Sequence, residues 1–171
     1  GAPASMMQDD WASYEGSREY GCDAMAVVCD GASFENIIID NFPGHGLYAA
    51  SPIIPSSRYG IDMPWDYHEL YARSIRVRRC LAGITWGSTD GILDGRIIAE
   101  RCRDYGVRLS GYATQFNIIH TYGCGIGFWA QGNFYGSVLE PESCNYGAFI
   151  DDNAVCCQLG SLRAFSNAYS A

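Results

Sequence analysis

Residues 73–86 read Arg-Ser-Ile-Arg-Val-Arg-Arg-Cys-Leu-Ala-Gly-Ile-Thr-Trp. Near the start of this segment, apolar Ile75 and Val77 alternate with charged Arg76 and Arg78. A period of two residues is typical of a strand with one buried face. The apolar pattern continues less strictly to the end of the segment. The segment therefore predicts a half-buried β-strand that has its arginines on the solvent side.

Helical spacing of apolar residues appears on both sides of this strand. Ser33 can cap a helix over residues 34–42, which Pro43 would end. A second helix is predicted over residues 95–105, where Gly106 follows as a stop signal. The residues at helical spacing are Phe34, Ile37, Ile38 and Phe42 in the first segment and Ile98, Cys102 and Tyr105 in the second.

The rest of the chain has strand-like composition. Phe128-Trp129 and Phe134-Tyr135 flank residues 130–133 as the two arms of a hairpin would, and residues 151–153 form a second turn of this kind. No internal repeat is recognised. Two helices and at least five strands with hairpin-like neighbours predict an α+β domain with a mainly antiparallel sheet.

Length and charge limit the classes of function. A chain of 171 residues suits one domain, and we expect a monomer with a flexible arm over residues 1–21 and a single domain over residues 22–171. The net charge of −8 argues against a DNA partner, because nucleic-acid binding needs a basic face. No run of eighteen apolar residues is present, so no membrane span is predicted.

Eight cysteines in a short chain without lysine favour a secreted protein with four disulfides. A metal site is not expected, because no pair has the Cys-x2-Cys spacing of zinc ligands. Neighbouring Cys156 and Cys157 should bond to two different partners, since adjacent side chains on an extended segment point to opposite faces. The connectivity stays open. The eight residues are Cys22, Cys29, Cys80, Cys102, Cys124, Cys144, Cys156 and Cys157.

The order of these features is similar to that of a known fold. A cysteine and a helix precede a strand that leads into Arg78-Arg79-Cys80-Leu81-Ala82-Gly83, and an acidic turn then leads to the second helix and Gly-Val-Arg-Leu-Ser-Gly at 106–111. This order resembles the killer-toxin-like α/β fold of small secreted fungal effectors over residues 22–123. The resemblance implies an effector or toxin-like protein that binds a host protein or cell-surface component, outside the cell or after entry into host cells. It implies no catalytic residue.

An extracellular ribonuclease of the microbial guanyl-specific type is the alternative. Such enzymes use His, Glu, Arg and His in this chain order, with the carboxylate as base and the distal His as acid. His45, Glu69, Arg78 and His120 follow that order, with Arg76 as a second choice for the arginine. The spacings differ from those of the enzymes, so the order alone supports this hypothesis.

Two further groups can bind ligands. Arg73, Arg76, Arg78 and Arg79 concentrate four of eleven basic residues in seven positions, where they can clamp a phosphate or carboxylate or neutralise nearby acidic side chains. Twelve tyrosines and four tryptophans can build a sugar-stacking platform, which makes a carbohydrate-binding module a second alternative. No cofactor is expected, because the chain has no phosphate-binding glycine loop and no His-Glu-x-x-His helix.

Overall fold

The structure is a computed structural model, and it describes residues 23–27, 31–50, 67–68, 70–111, 113–152 and 154–169. Within these ranges the chain forms fifteen β-strands and no helix. The strands are β1 (Met25–Ala26), β2 (Ser33–Glu35), β3 (Ile38–Asp40), β4 (His45–Ala50), β5 (Tyr67–His68), β6 (Tyr71–Arg73), β7 (Arg76–Arg78), β8 (Ala82–Thr89), β9 (Ile92–Glu100), β10 (Tyr105–Leu109), β11 (Thr114–Tyr122), β12 (Ile126–Ala130), β13 (Phe134–Glu142), β14 (Tyr146–Ile150) and β15 (Cys157–Leu162).

The strands form two sheets, and every strand pair is parallel. Sheet A has the order β1-β4-β8-β10-β12-β14, with β5 beside β8. Sheet B has the order β15-β13-β11-β9-β6-β2, with β3 and β7 continuing the line of β2 and β6. From β8 onward the chain alternates between the sheets and adds one strand to each per turn. This architecture is a β-solenoid, in which each turn packs on its neighbours.

Four consecutive turns pass the same corner with the same local conformation. A residue with positive φ comes first, as at Arg79 (φ 51°) and Arg101 (φ 53°), and a buried cysteine follows it. Each buried thiol donates a hydrogen bond to the carbonyl oxygen two residues earlier, at sulfur–oxygen distances of 3.3 to 3.7 Å. The four cysteines are Cys80, Cys102, Cys124 and Cys144, at intervals of 22, 22 and 20 residues. We call this row the cysteine ladder, and it is an internal repeat that the sequence analysis did not recognise.

A row of glycines follows the cysteine ladder, three or four residues along each turn. At Gly83, Gly106 and Gly127 the backbones of consecutive turns approach so closely that a side chain does not fit, whereas at Gly147 the nearest atoms belong to the side chain of Asn167. A Cβ added to Gly83 would overlap the carbonyl oxygen of Gly106, and one on Gly106 would lie 2.7 Å from the carbonyl oxygen of Gly127. The row explains why the repeat has the form Cys, then two or three residues, then Gly.

The core lies between the inner faces of the two sheets. On β10 and β12 of sheet A, alternate side chains such as Val107 and Phe128 point inward and are buried. Phe128 packs against Phe116 and Phe134 of sheet B, with ring centroids 5.4 to 5.7 Å apart. The alternation predicted over Arg76–Arg78 is confirmed, because Val77 is buried between two outward-facing arginines.

The predicted α+β class is wrong, because both predicted helices are strands. Residues 34–42 contain parts of β2 and β3, and Ile38 is 69% exposed. Asn36 has a φ of 57° and adds a bend between these strands, so Phe34 and Ile37 pack toward the core three residues apart, as they would on a helix.

The predicted second helix has the same explanation. Residues 95–105 run from β9 around the corner at Arg101 into β10. Arg101 has a φ of 53°, so Ile98 on β9, Cys102 at the corner and Tyr105 on β10 are buried four and three residues apart, as they would be on a helix. The two helices on which the resemblance to killer-toxin-like effectors partly depends are therefore absent from the described chain.

The predicted antiparallel hairpins are also wrong. Residues 131–133 carry the chain from β12 in sheet A to β13 in sheet B, so the flanking strands belong to different sheets. The amides of Gln131 and Gly132 donate to the carbonyl oxygen of Leu109 in the preceding turn, and not across a hairpin. Turn-forming residues between two apolar runs mark a reversal of the chain, but they do not decide whether the runs pair with each other.

The disulfide framework is contradicted as well. Six cysteines lie in the described residues and all are free thiols, four of them in the cysteine ladder. Cys156 and Cys157 are exposed at the start of β15, while Cys22 and Cys29 lie outside the described residues, as do the predicted arm over residues 1–21 and Glu69. In the cysteine ladder the thiols take the place of small apolar side chains. The described part of the chain contains no helix that could cross a membrane.

Candidate functional site

A groove of about 610 Å³ crosses the outer face of sheet B at the beginning of its strands. Parallel pairing in register aligns equivalent residues of β9, β11, β13 and β15 into columns that run along the solenoid. One column contains Ile92, Gln115, Tyr135 and Gln158. Two residues further along the same strands, a second column of the groove lining contains Asp94, Asn117, Ser137 and Gly160, and the register shift between β9 and β11 falls at Asn117. The groove thus presents equivalent strand positions from four consecutive turns, and all of these positions except Ile92 and Gly160 carry polar side chains.

Irregularities of the strands produce the hollow. The register between β9 and β11 shifts between Phe116 and Ile118, as in a β-bulge, opposite the bend at Gly95. Gly136 and Gly160 line the groove without side chains. The ring of Phe116 occupies the position that a side chain at Gly136 would take. Backbone and small side chains therefore form the floor, which leaves room above it.

Asp94 is held in place at the β9 end of the groove. Its Oδ1 accepts a hydrogen bond from the backbone amide of Gly95 at 2.7 Å, and its Oδ2 accepts one from the Tyr71 hydroxyl at 3.0 Å. The Arg73 guanidinium lies 3.7 Å from Oδ2. The Gly95 amide, followed by the Tyr71 hydroxyl, lowers the pKa of Asp94 below its ordinary value. Asp94 is therefore a fixed, ionised acceptor near neutral pH.

The donors and acceptors of the groove suit binding. Among the described residues that line it, Asp94 is the one carboxylate, whereas glycoside hydrolysis generally uses a pair of them. The other polar side chains are the amides of Gln115, Asn117 and Gln158 and the Ser137 hydroxyl. The described residues also contain no group of three or more His, Cys, Asp or Glu side chains that could hold a metal ion.

The four arginines that the sequence groups together contact three different carboxylates in the structure. Arg78 and Arg79 both bind the Asp40 carboxylate, with nitrogen–oxygen distances of 2.6 to 2.8 Å. Arg76 lies 4.0 Å from Glu100, and Arg73 belongs to the wall of the groove through Asp94. The hydrogen bond with Arg79 is the main cause that lowers the pKa of Asp40, and the same contact raises the pKa of Arg79.

The three described residues of the ribonuclease hypothesis, His45, Arg78 and His120, are not brought together. His45 is fully buried on β4, and Arg78 and His120 belong to sheet B. On the outer face, His120 Nδ1 lies 3.0 Å from Arg96 Nη2, and its Nε2 lies 3.5 Å from Glu142 Oε2. The position of Glu69 lies outside the described residues.

His45 takes part in a buried chain of hydrogen bonds. Its Nδ1 lies 2.9 Å from the Asp23 carboxylate and its Nε2 lies 2.8 Å from the Tyr105 hydroxyl, which in turn contacts Thr85 Oγ1 at 2.6 Å. Because the carboxylate only accepts, a neutral His45 ring carries its proton on Nδ1 and accepts from Tyr105 on Nε2. This chain joins the first strands of sheet A to β10.

Sequence reasoning missed the residues of the groove, which are far apart along the chain. Asp94, Asn117 and Ser137 are separated by 23 and 20 residues, close to the spacing of the cysteine ladder. A search for a repeat of Cys followed by Gly would have revealed the period. Aligning the chain on that period places the polar residues of the groove in columns.

Comparison of the chain with protein-family models, with curated proteins and with solved structures finds no match. The function is therefore inferred from the side chains that the outer face of sheet B presents. Two parts of that face combine a hollow with fixed polar groups. They are the groove around Asp94 and a smaller hollow beside Arg79.

Proposed function

We propose that the protein binds an extended, neutral polysaccharide along the groove on the outer face of sheet B. The observation that carries the proposal is the pair of columns, which place mostly polar side chains at equivalent strand positions of four consecutive turns. Parallel strands are about 4.8 Å apart. That spacing is close to the length of one pyranose residue in an extended chain, so successive sugars would meet successive turns.

The chemistry of the groove suits sugar hydroxyls. Planar amide and carboxylate groups can each contact two neighbouring hydroxyls, and Gln115, Asn117 and Asp94 offer such groups on adjacent strands. Tyr135 is 44% exposed and gives an aromatic surface for the apolar face of a sugar ring. Ionised Asp94 accepts hydrogen bonds and repels anions, which favours a neutral ligand over a polyuronate.

The expectation of a secreted protein that binds a host component remains a hypothesis. A neutral glycan of a cell surface would be a component of that kind, and the groove would be the place where it binds. The carbohydrate-binding alternative is supported by the polar columns together with one tyrosine, rather than by a platform of several aromatic rings.

Affinity electrophoresis and calorimetry with soluble neutral polysaccharides test the proposal. The panel contains β-1,4-glucan, β-1,3-glucan and mannan, with polygalacturonate as the anionic comparison. We expect at least one neutral polymer to retard the protein and polygalacturonate to have no effect. An Asn117→Ala, Tyr135→Ala double variant should lose at least ten-fold in affinity, since each side chain supplies a separate contact.

Tyr169→Ala is the matched control, because Tyr169 is also an exposed tyrosine but stacks on Tyr146, away from the groove. It should bind like the parent protein. Absence of binding to every neutral polymer, or equal weakening by the control and the double variant, would show that the groove is not a glycan site.

A further inference from the structure

A second hollow on the outer face of sheet B carries a local excess of positive charge. It has a volume of about 230 Å³ and is lined by Arg78, Arg79, Glu100, Arg101 and Tyr122. It lies at the ends of the strands, beside the positive-φ corner and away from the residues that line the groove.

Register places two of these guanidiniums on consecutive turns. The Arg79 amide donates to the carbonyl oxygen of Glu100, and the Arg101 amide donates to that of Tyr122, so both arginines occupy the same corner position one turn apart. In the next turn the position is Gly123, which adds no side chain. The column therefore ends in an open space beside Arg101.

The arginines of the hollow differ in how far they are neutralised. Arg79 and Arg78 share the Asp40 carboxylate, and Arg76 reaches Glu100 at 4.0 Å. Arg101 has no carboxylate within ion-pair distance in the described part of the chain. Four guanidiniums therefore face two carboxylates, in a protein whose net charge is −8.

Unused donors remain in the hollow. Arg78 Nε is buried and has no hydrogen-bond partner in the described structure. The bonds to Asp40 use the Nη2 of Arg78 and the Nε and Nη2 of Arg79, which leaves the Nη1 groups of both residues without a bond to that carboxylate. Guanidinium groups match the oxygen geometry of sulfate, phosphate and carboxylate groups.

We propose that this hollow binds a tetrahedral oxyanion of the sulfate or phosphate class, with Arg101 as its main ligand and Arg78 and Arg79 as additional donors. The bound anion would neutralise Arg101 and relieve the repulsion between the stacked guanidiniums. The proposal is independent of glycan binding in the groove. The oxyanion can be a free ion or a substituent on a polymer.

NMR titration of protein labelled with ¹⁵N at arginine tests the proposal, because all eleven basic residues are arginines. Sodium sulfate is exchanged for sodium chloride at constant ionic strength, so general screening stays the same. We expect saturable shifts of the Nε resonances of Arg78, Arg79 and Arg101. Separate titrations use dextran sulfate and unmodified dextran. Tighter binding of dextran sulfate than of sulfate would show that the preferred oxyanion is a substituent on a polymer.

Arg101→Gln should weaken sulfate binding at least five-fold, and Asp40→Asn should strengthen it by removing a competing carboxylate. Arg163→Gln is the matched control, since Arg163 is exposed and bonded to Glu140 outside the hollow, and it should bind like the parent. Shifts that are linear and equal at all arginines would overturn the proposal. Sulfate and dextran sulfate binding that Arg101→Gln leaves unchanged, or equal shifts with unmodified dextran, would also overturn it.

Discussion

The Tyr71 hydroxyl donates a hydrogen bond over 3.0 Å to Asp94 Oδ2, which joins neighbouring strands of sheet B at the wall of the groove. The bond fixes the carboxylate, and together with the Gly95 amide it keeps the pKa of Asp94 low. In return, burial and the hydrogen bond with Asp94 raise the pKa of Tyr71. The charge of the proposed glycan site therefore depends on a residue outside the groove lining.

Tyr71→Phe should raise the pKa of Asp94 toward its ordinary value, because the ionised form loses a hydrogen bond. The folded parent has a lowered pKa, so the Asp94 charge persists above that pKa and is lost as pH falls through it. In the variant this loss should begin at higher pH. Carboxyl ¹³C titration measures both midpoints, and an unchanged midpoint would mean that the hydrogen bond does not influence Asp94.

Gly83→Ala and Gly147→Ala form a matched pair in the glycine row. A Cβ at Gly83 would overlap a backbone carbonyl, which cannot move aside, so we expect a loss of about 3 kcal/mol in the free energy of unfolding. At Gly147 the nearest atom is the side-chain Nδ2 of Asn167 at 3.0 Å, and the loss should be less than about 1 kcal/mol. Denaturant unfolding measures both values. Equal losses would contradict the close approach of the turns.

The cysteine ladder should resist alkylation in the folded protein. Its thiols are buried, and for Cys124 the hydrogen bond with Cys102 is the main cause that raises the pKa to about 12. Little thiolate is then available to react. Brief treatment with iodoacetamide should label exposed Cys156 and Cys157, while the four ladder cysteines should react only after unfolding.

Peptide mass spectrometry without reduction identifies which cysteines are labelled and whether any are joined in a disulfide. Rapid native labelling of Cys102 or Cys124, or a disulfide between two ladder cysteines, would contradict the buried row of free thiols. Pre-incubation with a reducing agent is the control. It should leave the labelling of the ladder unchanged, because there is no bridge in it to open.

Local features of this fold were accessible from the sequence, and its long-range order was not. The alternation of buried Val77 with outward-facing arginines over Arg76–Arg78 was predicted correctly, because alternation depends only on neighbouring residues. The single strand predicted over residues 73–86 is wrong, because the positive-φ residues Ser74 and Arg79 divide this segment among β6, β7 and β8. Positive-φ bends at Asn36 and Arg101 changed the spacing of buried residues from two to three or four, which imitates a helix. Only the 20–22-residue interval of the cysteine ladder distinguishes the bent strands of a solenoid from true helices.

Prediction of the candidate site from the sequence was limited in the same way. The arginine group was recognised because its members are adjacent in sequence. The residue that completes the anion hollow, Arg101, is 22 positions beyond Arg79 and joins it only through solenoid register. The groove around Asp94 depends on that register too, so a prediction based on sequence neighbours could not assemble it.

Asp104 should make stability depend on pH in the opposite sense from Asp40 and Asp94. Burial raises the pKa of Asp104 to about 6, with only partial compensation by Arg103, and its Oδ2 has no hydrogen-bond partner in the described structure. Below the ordinary value of 3.8 the group is protonated both folded and unfolded, so it costs nothing. As pH rises from about 4 to 6 the unfolded chain ionises more readily than the folded one, and stability falls.

Asp104→Asn should remove this loss of stability, because the side-chain amide stays neutral. After allowance for the partial exposure of the group, we expect the variant to gain about 1–2 kcal/mol in the free energy of unfolding at pH 7 and nothing at pH 3.5. Asp152→Asn, in an exposed turn, is the control and should keep the pH dependence of the parent. Thermal unfolding between pH 3.5 and 7.5 measures the stability of the parent and of both variants. A gain that is the same at both ends of this range would show that burial of the Asp104 charge is not its cause.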